Sequence, residues 1–234
     1  MEPTPILEIT GLVISPAGEL GSCGSDRLAI MCGDTIAIDA SAAINCRKLL
    51  RILATLEPPE RGKYRFNGIA LDVSDYRQCL AVKRQIGYLT TDAVMVSNRT
   101  IRENLLLTRY YYENDLTIGI DTTLAALCES AGLSDQLNRR PAELNEADLK
   151  KLIAIREMGK RPHLMLIDRP ENFMGLGPDD AIFAHLKNMV QSGLAVVFYS
   201  ADHEMTGFAR RQMTVSDDTI RIRNIRAQRT PSAR

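Results

Sequence analysis

Apolar positions in this chain follow two spacings, one typical of buried strands and the other of amphipathic helices. Short apolar runs bounded by turn residues predict strands at residues 7–15, 35–38, 86–89, 163–167 and 194–199. Apolar residues that recur every three or four positions predict helices at residues 46–56, 145–158, 178–191 and 202–211. Because strands and helices alternate, the pattern predicts a parallel α/β core that is covered by helices on both faces.

Antiparallel hairpins are expected toward the two ends of the chain. The dipeptide Asn67-Gly68 is typical of a two-residue turn, so residues 64–66 and 69–71 are expected to pair. Residues 16–24 resemble a turn after the first strand. Residues 213–222 are expected to form a final hairpin.

A helical lobe is expected to interrupt the core. Residues 101–137 are mostly helical in pattern, and the spacing of one helix face is kept by Leu124, Leu127, Cys128 and Ala131. We therefore predict one unit over residues 1–234, with a core at about residues 1–90 and 160–223, a lobe at about 91–159, and a loose tail at 224–234.

Composition narrows the classes of function. Twenty-nine basic residues balance twenty-nine acidic ones, so no overall charge draws the chain to nucleic acid or anionic lipid. The five cysteines lack Cys-x-x-Cys spacing, which favours a reducing compartment and argues against zinc. No apolar stretch reaches the roughly 18 residues that span a bilayer, and no signal peptide pattern is present. We expect no direct membrane insertion, so a membrane role would come through a partner.

The most informative segment is a strand–loop–helix whose loop has lost its usual chemistry. A buried strand leads into residues 40–48 and then into an amphipathic helix, which is the setting of the phosphate-binding loop G-x-x-x-x-G-K-[ST]. The two glycines of that pattern fall at Ala40 and Asn45, its lysine at Cys46, and its metal-binding hydroxyl at Arg47. The setting for phosphate binding is present, whereas the residue types that bind phosphate are absent.

The order of these pieces resembles the nucleotide-binding domain of ABC transporters over nearly the whole chain. The resemblance lies in Leu56-Glu57-Pro58-Pro59 with Gly62 and Asn67-Gly68, Ile86-Gly87-Tyr88 at the Q-loop strand, Thr100-Ile101-Arg102-Glu103-Asn104-Leu105 after it, Arg140-Pro141-Ala142-Glu143-Leu144 before the signature, Arg161-Pro162-His163-Leu164-Met165-Leu166-Ile167-Asp168 at the Walker B strand, and Asp202. It implies a P-loop NTPase-like parallel sheet with an N-terminal antiparallel β subdomain and a small helical lobe.

The positions at which the family contacts nucleotide depart from its motifs. Those positions are occupied by Thr91 (Q-loop glutamine), Leu144-Asn145-Glu146-Ala147-Asp148 (signature), Arg169 (catalytic glutamate), Gly175-Leu176-Gly177-Pro178 (D-loop) and Ala201 (switch histidine). The first aromatic residue is Tyr64, so the aromatic that stacks on adenine has no candidate. Of the side chains that the resemblance implies, only the Walker B aspartate, Asp168, is kept.

These substitutions weaken nucleotide binding for physical reasons. Cys46 removes a charge-assisted contact worth about 1.5–3 kcal/mol, and Arg47 would repel Mg²⁺. Glu146 and Asp148 place negative charge where the resemblance implies that a partner's triphosphate approaches. We therefore expect a pseudo-ATPase with no catalytic residue, no metal site and no ATP or Mg²⁺ cofactor. The remnants of the nucleotide pocket are predicted to be Ala40, Ala43, Asn45, Cys46, Arg47, Lys48, Thr91 and Asp168.

Several of these residues keep alternative interpretations. Arg47 and Lys48 at a helix start either bind a different anion or form a solvated basic pair. Asp168 is either a hydrogen-bond acceptor at the strand end or a metal ligand, and Glu171, which follows Pro170, either substitutes for the lost catalytic carboxylate or has no such role. His203 is either a switch residue or a surface residue, and Cys46 is either a reactive thiol or an apolar filler. The tyrosines Tyr110-Tyr111-Tyr112 either form a contact surface or pack within the lobe.

The resemblance also implies a partner. In the family, a groove near the Q-loop receives a coupling helix of a membrane permease, and the matching stretch is about residues 91–104, with Val94, Met95, Val96 and Ser97 as docking residues. We expect a scaffold or regulator at the cytoplasmic face of the membrane, docked on a permease or paired in a homodimer or heterodimer with another nucleotide-binding subunit.

Two further interpretations concern the cargo and the activity. Glu103-Asn104-Leu105-Leu106-Leu107 and Asp115-Leu116-Thr117 are similar to the lipid-trafficking branch that works with MCE proteins, which implies lipid transport. The alternative functions are an ATPase subunit with residual or atypical ATP binding and hydrolysis, and a binding module for a non-nucleotide anion.

Overall fold

The structure is a computed structural model that describes residues 4–14, 23–40, 43–173, 180–216 and 219–225. Within these residues the strands form two sheets. The first sheet is antiparallel, in the order β2-β1-β4-β5, and consists of β1 (Leu7–Ile14), β2 (Cys23–Ile30), β4 (Arg61–Phe66) and β5 (Ile69–Leu71). It is the expected N-terminal antiparallel subdomain, and Asn67-Gly68 makes the predicted turn between β4 and β5.

The second sheet is the core of the fold. It has the order β10-β9-β3-β8-β7-β6 and consists of β3 (Thr35–Ala40), β6 (Ile86–Leu89), β7 (Leu164–Asp168), β8 (Ala195–Tyr199), β9 (Arg211–Val215) and β10 (Ile220–Asn224). Every pair is parallel except β9 with β10, which form the expected final hairpin. The predicted α/β fold class is confirmed.

Helices connect the strands and cover both faces of the core sheet. They are α1 (Ala43–Leu53), α2 (Tyr76–Lys83), α3 (Ile101–Glu113), α4 (Thr122–Ser130), α5 (Glu146–Gly159), α6 (Ala181–Gln191) and α7 (His203–Thr206). Thr100 and Glu103 form a capping box that starts α3, and the side chain of Asn145 caps α5. None of the helices in the described ranges is long and apolar enough to cross a membrane.

Strands β3, β6, β7 and β8 each contribute side chains to two hydrophobic clusters, because successive side chains point to opposite faces of a sheet. Leu164 and Leu166 of β7 pack with α1 and the antiparallel sheet, whereas Met165 and Ile167 pack with helices α3 to α6. The core sheet therefore lies between two apolar layers, and its carboxyl edge is left to polar residues.

Three predicted boundaries differ from the structure, and two elements, β2 and α2, were not predicted. Residues 23–24 begin strand β2 rather than ending a turn, and β2 was missed because Gly24, Ser25, Asp26 and Arg27 hide its alternation. Residues 15–22 lie outside the described residues. The helix predicted from Cys46 begins at Ala43, and α2 was not predicted. The helix predicted over residues 202–211 ends at Thr206, because the amide of Arg210 pairs with the carbonyl of Thr35 and leads into β9.

Candidate functional site

The predicted pocket residues come together at the carboxyl edge of the core sheet. Ala40 ends β3, Asp168 ends β7, and Thr91 follows β6, so parallel strands bring the three positions to one edge. Helix α1 begins beside them and carries Ala43, Asn45, Cys46, Arg47 and Lys48 in its first two turns. The strand order therefore places these positions side by side, and their role in a nucleotide pocket stays a prediction.

Arg47 connects three parts of the pocket. Its Nε donates a hydrogen bond to Oδ2 of Asp168 at 3.0 Å, and its Nη2 donates to Oγ1 of Thr91 at 3.4 Å. The Asp168 side chain is only 1% exposed, whereas the Arg47 side chain is about half exposed. A cation at the protein surface therefore pairs with a buried carboxylate and links α1 to the ends of β6 and β7.

Cys46, at the lysine position of the motif, lies in the protein interior. Cys46 is fully buried, and burial, reinforced by the charges of Asp168 and Asp39, raises the pKa of its thiol to about 12. The thiol therefore stays protonated at neutral pH, which favours the apolar-filler interpretation over a reactive cysteine. Oδ1 of Asp168 is buried without a hydrogen-bond partner among the described residues.

The position of the catalytic glutamate is taken by a residue with an unusual backbone. Arg169 has φ of 61° and its guanidinium lies 5.7 Å from the ring centre of Tyr199. Glu171, the proposed substitute, accepts hydrogen bonds from Oγ of Ser200 at 2.8 Å and from the amide of Ala201 at 3.5 Å. These contacts tie Glu171 to the loop after β8, so they favour a structural role.

The signature position lies at the start of α5 and carries two carboxylates. Asn145 accepts from the amide of Asp148 and donates to its carboxylate, both at 2.8 Å. Glu146 is exposed and pairs with Lys150 at 2.7 Å, and this contact lowers the pKa of Glu146. The positive end of this helix is therefore offset by acidic side chains in its first turn.

The docking segment, residues 94–97, exposes two valines on a backbone that side chains of α3 and α5 hold in place. Val94 is 72% exposed and Val96 is 44% exposed, whereas Met95 is turned inward. The amide side chain of Asn104, which is fully buried, bonds to both the amide and the carbonyl of Val96, at 2.7 and 3.1 Å. Arg156 of α5 donates to the carbonyl of Val94 at 2.9 Å. Two valines are thus presented to the outside on a backbone held by two helices.

Sequence reasoning did not single out Asn104 or Arg156 for these roles. Asn104 had a detectable signal, because a polar residue stands on the apolar face shared by Ile101 and Leu105. Arg156 had none, since its partner is a backbone carbonyl that is remote in sequence.

Some predicted residues fall elsewhere. Tyr110 packs partly against the lobe core, Tyr111 is exposed, and the hydroxyl of Tyr112 donates to the carbonyl of Leu80 at 2.6 Å. The three tyrosines thus have different surroundings. The whole D-loop match, Gly175-Leu176-Gly177-Pro178, and the side chain of His203 lie outside the described residues.

Comparison with known proteins decides the family. A family model described as ABC transporter matches residues 46–172, which is more than half of the chain. The chain belongs to the ABC transporter family. It is 25% identical over 197 residues to the lipoprotein-releasing system ATP-binding protein LolD of Shewanella frigidimarina, covering 83% of this chain and 82% of that protein.

A second relative is much longer than this chain. The macrolide export ATP-binding/permease protein MacB of Marinobacter nauticus is 24% identical over 225 residues, covering 94% of this chain and 35% of MacB. The chain therefore spans about a third of that relative.

Solved structures agree on the ABC cassette fold. The dimeric bacterial ABC transporter cassette MJ0796 matches with a TM-score of 0.75 and 18% identity, covering 94% of this chain and 99% of that one. An ATP-binding subunit of an ABC transporter matches with a TM-score of 0.77 and 17% identity, covering 94% and 90%.

The family implies a bound nucleotide and Mg²⁺, and the residues present do not fit them. One oxygen of the Asp168 carboxylate, Oδ2, is already paired with the Arg47 guanidinium, so a metal ion would have to bind the buried Oδ1 next to that positive charge. The lysine position is a neutral, buried thiol, which gives no cation for a phosphate. A divalent cation entering here would meet a fixed positive charge about 3 Å from its expected carboxylate ligand.

Proposed function

We propose that this protein is a non-hydrolysing subunit of an ABC-type transport system, kept as a scaffold or regulator of a membrane permease. The observation that supports this most directly is the ion pair between Arg47 and Asp168. Because Arg47 is part of the chain, its positive charge stays beside the Asp168 carboxylate at every nucleotide concentration. It therefore competes with Mg²⁺ for that carboxylate. We propose that this ion pair occupies the pocket in place of a nucleotide and its metal ion.

The loss of binding free energy is large enough to matter. A missing lysine contact weakens phosphate binding by about 1.5–3 kcal/mol, and a missing stacked aromatic by a further ~1–3 kcal/mol. A total of about 5 kcal/mol moves a micromolar site into the millimolar range or beyond. With arginine at residue 169 and alanine at residue 201, the reaction would also lack its base and its γ-phosphate contact.

The retained part of the molecule is the surface for a partner. Val94 and Val96 form a small exposed apolar surface, and the backbone that carries them is held by hydrogen bonds. Such a surface is suited to contact an apolar helix of a permease. The names of LolD and MacB link similar chains to lipoprotein release and to a permease, and we extend that link to this protein as a proposal, with lipid-type cargo. Such a subunit would lie at the cytoplasmic face, alone or paired with a second cassette.

The first test is nucleotide binding by the purified protein. We expect no rise in melting temperature and no ATP hydrolysis with Mg-ATP, whereas a ligand at about 100 times its Kd would add about 2.7 kcal/mol. The double variant Cys46→Lys, Arg47→Thr restores two motif residues and tests whether the fold itself tolerates a nucleotide. A clear shift in the natural protein, abolished by Asp168→Ala, would contradict the proposal and favour an atypical ATPase.

The second test concerns the permease. Co-purification with a polytopic membrane protein in mild detergent should be weakened by Val94→Asp and Val96→Asp. The matched control is Ile69→Asp, which charges an equally exposed apolar residue in the antiparallel sheet. Equal weakening by the control, or extraction of the chain alone, would count against docking through this segment.

A further inference from the structure

A second cavity lies at the edge of the core sheet opposite to the nucleotide pocket. It has a volume of about 430 Å³, within the usual range of small-ligand sites. Arg84 precedes β6 and Arg161 precedes β7, so the cavity opens at the amino ends of these strands, whereas Asp168 ends β7. Strand β7, roughly 13 Å long at about 3.3 Å per residue, separates the two sites. We propose that this cavity binds a small organic anion that carries a carboxylate or phosphate group beside an apolar part.

The charge of the lining is the first argument. Its charged members are Arg84, Arg109, Lys160, Arg161, Glu113 and Asp121. Arg109 pairs with Glu113 at 2.8 Å, Arg161 pairs with Asp121 at 3.4 Å, and Lys160 pairs with Glu157. Three of the four cations are thus matched by carboxylates. Across the described ranges, Arg84 has no ion pair, so the cavity keeps an uncompensated positive charge in a chain of zero net charge.

The surroundings of Arg84 are the second argument. Its guanidinium lies 6.0 Å from the ring centre of Tyr112, and the Tyr112 hydroxyl bonds to the carbonyl of Leu80 at 2.6 Å. The aromatic face supports the cation without neutralising it, which leaves the guanidinium available for an anion. Leu105 and Leu124, both buried, form the apolar wall beside it. This combination favours an anion with an apolar group over a simple inorganic ion.

The remaining wall is pre-ordered. Arg161 adopts φ of 52°, and its guanidinium donates to Oγ1 of Thr123 at 2.8 Å as well as pairing with Asp121. The N-cap of α4 is thereby joined to the segment before β7, so an anion entering beside Arg84 needs little rearrangement of this wall.

An occupant would contact a helix that leads to the docking segment. Leu105 and Tyr112 line the cavity from α3, and α3 starts four residues after Ser97. An anion bound in the cavity would therefore influence the docking segment through α3. This regulatory effect rests on the proposed function, whereas anion binding itself does not.

Calorimetric titration of the full chain tests the site. The probes are phenyl phosphate, benzoate and inorganic phosphate, each at the same ionic strength. We expect phenyl phosphate or benzoate to bind more tightly than phosphate, and the stronger of the two identifies the anionic group. Arg84→Gln should weaken binding about tenfold, equivalent to about 1.4 kcal/mol. Arg65→Gln, an exposed arginine in β4, is the matched control and should bind as the natural chain does.

Three outcomes would overturn the proposal. They are no heat with any of the three probes, unchanged affinity in Arg84→Gln and in the charge reversal Arg84→Glu, or a loss of binding in Arg47→Gln, which would put the anion in the nucleotide pocket. A melting curve of each variant shows that it is folded. Because no probe contains a nucleotide, failure here leaves the Mg-ATP test unaffected.

Discussion

The nucleotide pocket and the docking segment, which begins three residues after the pocket residue Thr91, use their polar groups in opposite ways. In the pocket, the Arg47 guanidinium pairs with the buried Asp168 carboxylate, so these two opposite charges compensate each other. In the docking segment, Asn104 and Arg156 bind the backbone from within and leave Val94 facing outward. In the nucleotide pocket, the protein's own side chains thus pair with each other. In the docking segment, buried side chains hold the backbone so that an apolar side chain can contact a partner.

The two regions also differ in how strongly their contacts are desolvated. The Arg47 side chain is half exposed, so water screens its ion pair. Asn104 is completely buried and bonds to four backbone groups. Because an unmade buried hydrogen bond costs more than a screened ion pair contributes, loss of the Asn104 side chain should destabilise the protein more than loss of the Arg47 side chain.

The largest effect is expected from Asn104→Ala. The substitution leaves the amide of Val96 and three carbonyl groups without this partner, so the free energy of unfolding should fall by about 2–4 kcal/mol. Urea denaturation measures the change. The control is Asn98→Ala, an exposed asparagine in the same loop, which should change stability by less than about 0.5 kcal/mol. Equal effects would mean that the loop is not held by its buried amide.

The next largest effect is expected from Arg47→Ala. It leaves the buried carboxylate of Asp168 without a counter-charge, so stability should fall by about 1–2 kcal/mol after allowing for solvent screening of the exposed arginine. In a double-mutant cycle with Asp168→Asn, the loss caused by Arg47→Ala should shrink, because the amide carries no charge to compensate. Additive effects would show that the two residues do not interact, and the proposal that their ion pair occupies the pocket would lose its main evidence.

Periodicity was enough to find the core of the fold. Apolar residues predominate in strands β3, β6, β7 and β8. A parallel strand that is buried on both faces requires such a continuous apolar run, so these strands can be recognised from the sequence. Strand β2 was lost because its middle, from Gly24 to Arg27, is polar, and it is held by pairing with β1 rather than by its own pattern. Helix α7 was predicted too long because strand pairing of the following residues overrides local helix propensity.

The site was predictable as a set of positions and unpredictable as a set of contacts. The sequence placed Arg47 and Asp168 in one pocket from a motif order, and left open whether Arg47 bound an anion or water. The structure shows a third outcome, an ion pair 121 residues apart in sequence, whose existence depends on side-chain geometry that no spacing encodes. The same limit explains why the contact from Arg156 to Val94 was not foreseen.

A smaller effect is expected from pH, through Cys46. The folded chain keeps this thiol protonated up to a pKa of about 12, against an ordinary value of 9.0. The stabilisation is complete below pH 9 and is lost as pH rises from 9 toward about 12, because the unfolded chain releases its proton first. At about pH 10 the natural chain should have lost at most about 1.4 kcal/mol through this group.

The comparison of variants isolates that contribution. Cys128, whose pKa burial raises to about 11, adds a loss of the same sign, so the test is the change in pH slope and not the slope itself. Urea denaturation at pH 8 and 10 should show a shallower decline in the free energy of unfolding for Cys46→Ala than for the natural chain. An unaltered decline in Cys46→Ala would mean that the pocket interior is hydrated, and the contrast between the two regions would weaken.

The smallest effect on stability is expected from Val94→Asp, and it is the sharpest test of the contrast. Because the Val94 side chain is 72% exposed and its backbone is held by Arg156, a charge at its tip should change the free energy of unfolding by less than about 0.5 kcal/mol. Met95→Asp, one residue on, buries a carboxylate against the lobe core and should cost several times as much. Guanidinium denaturation of the two variants separates the cases. If Val94→Asp proved as costly as Met95→Asp, the valine would be packing internally, and the exposed apolar surface that distinguishes this region from the nucleotide pocket would not exist.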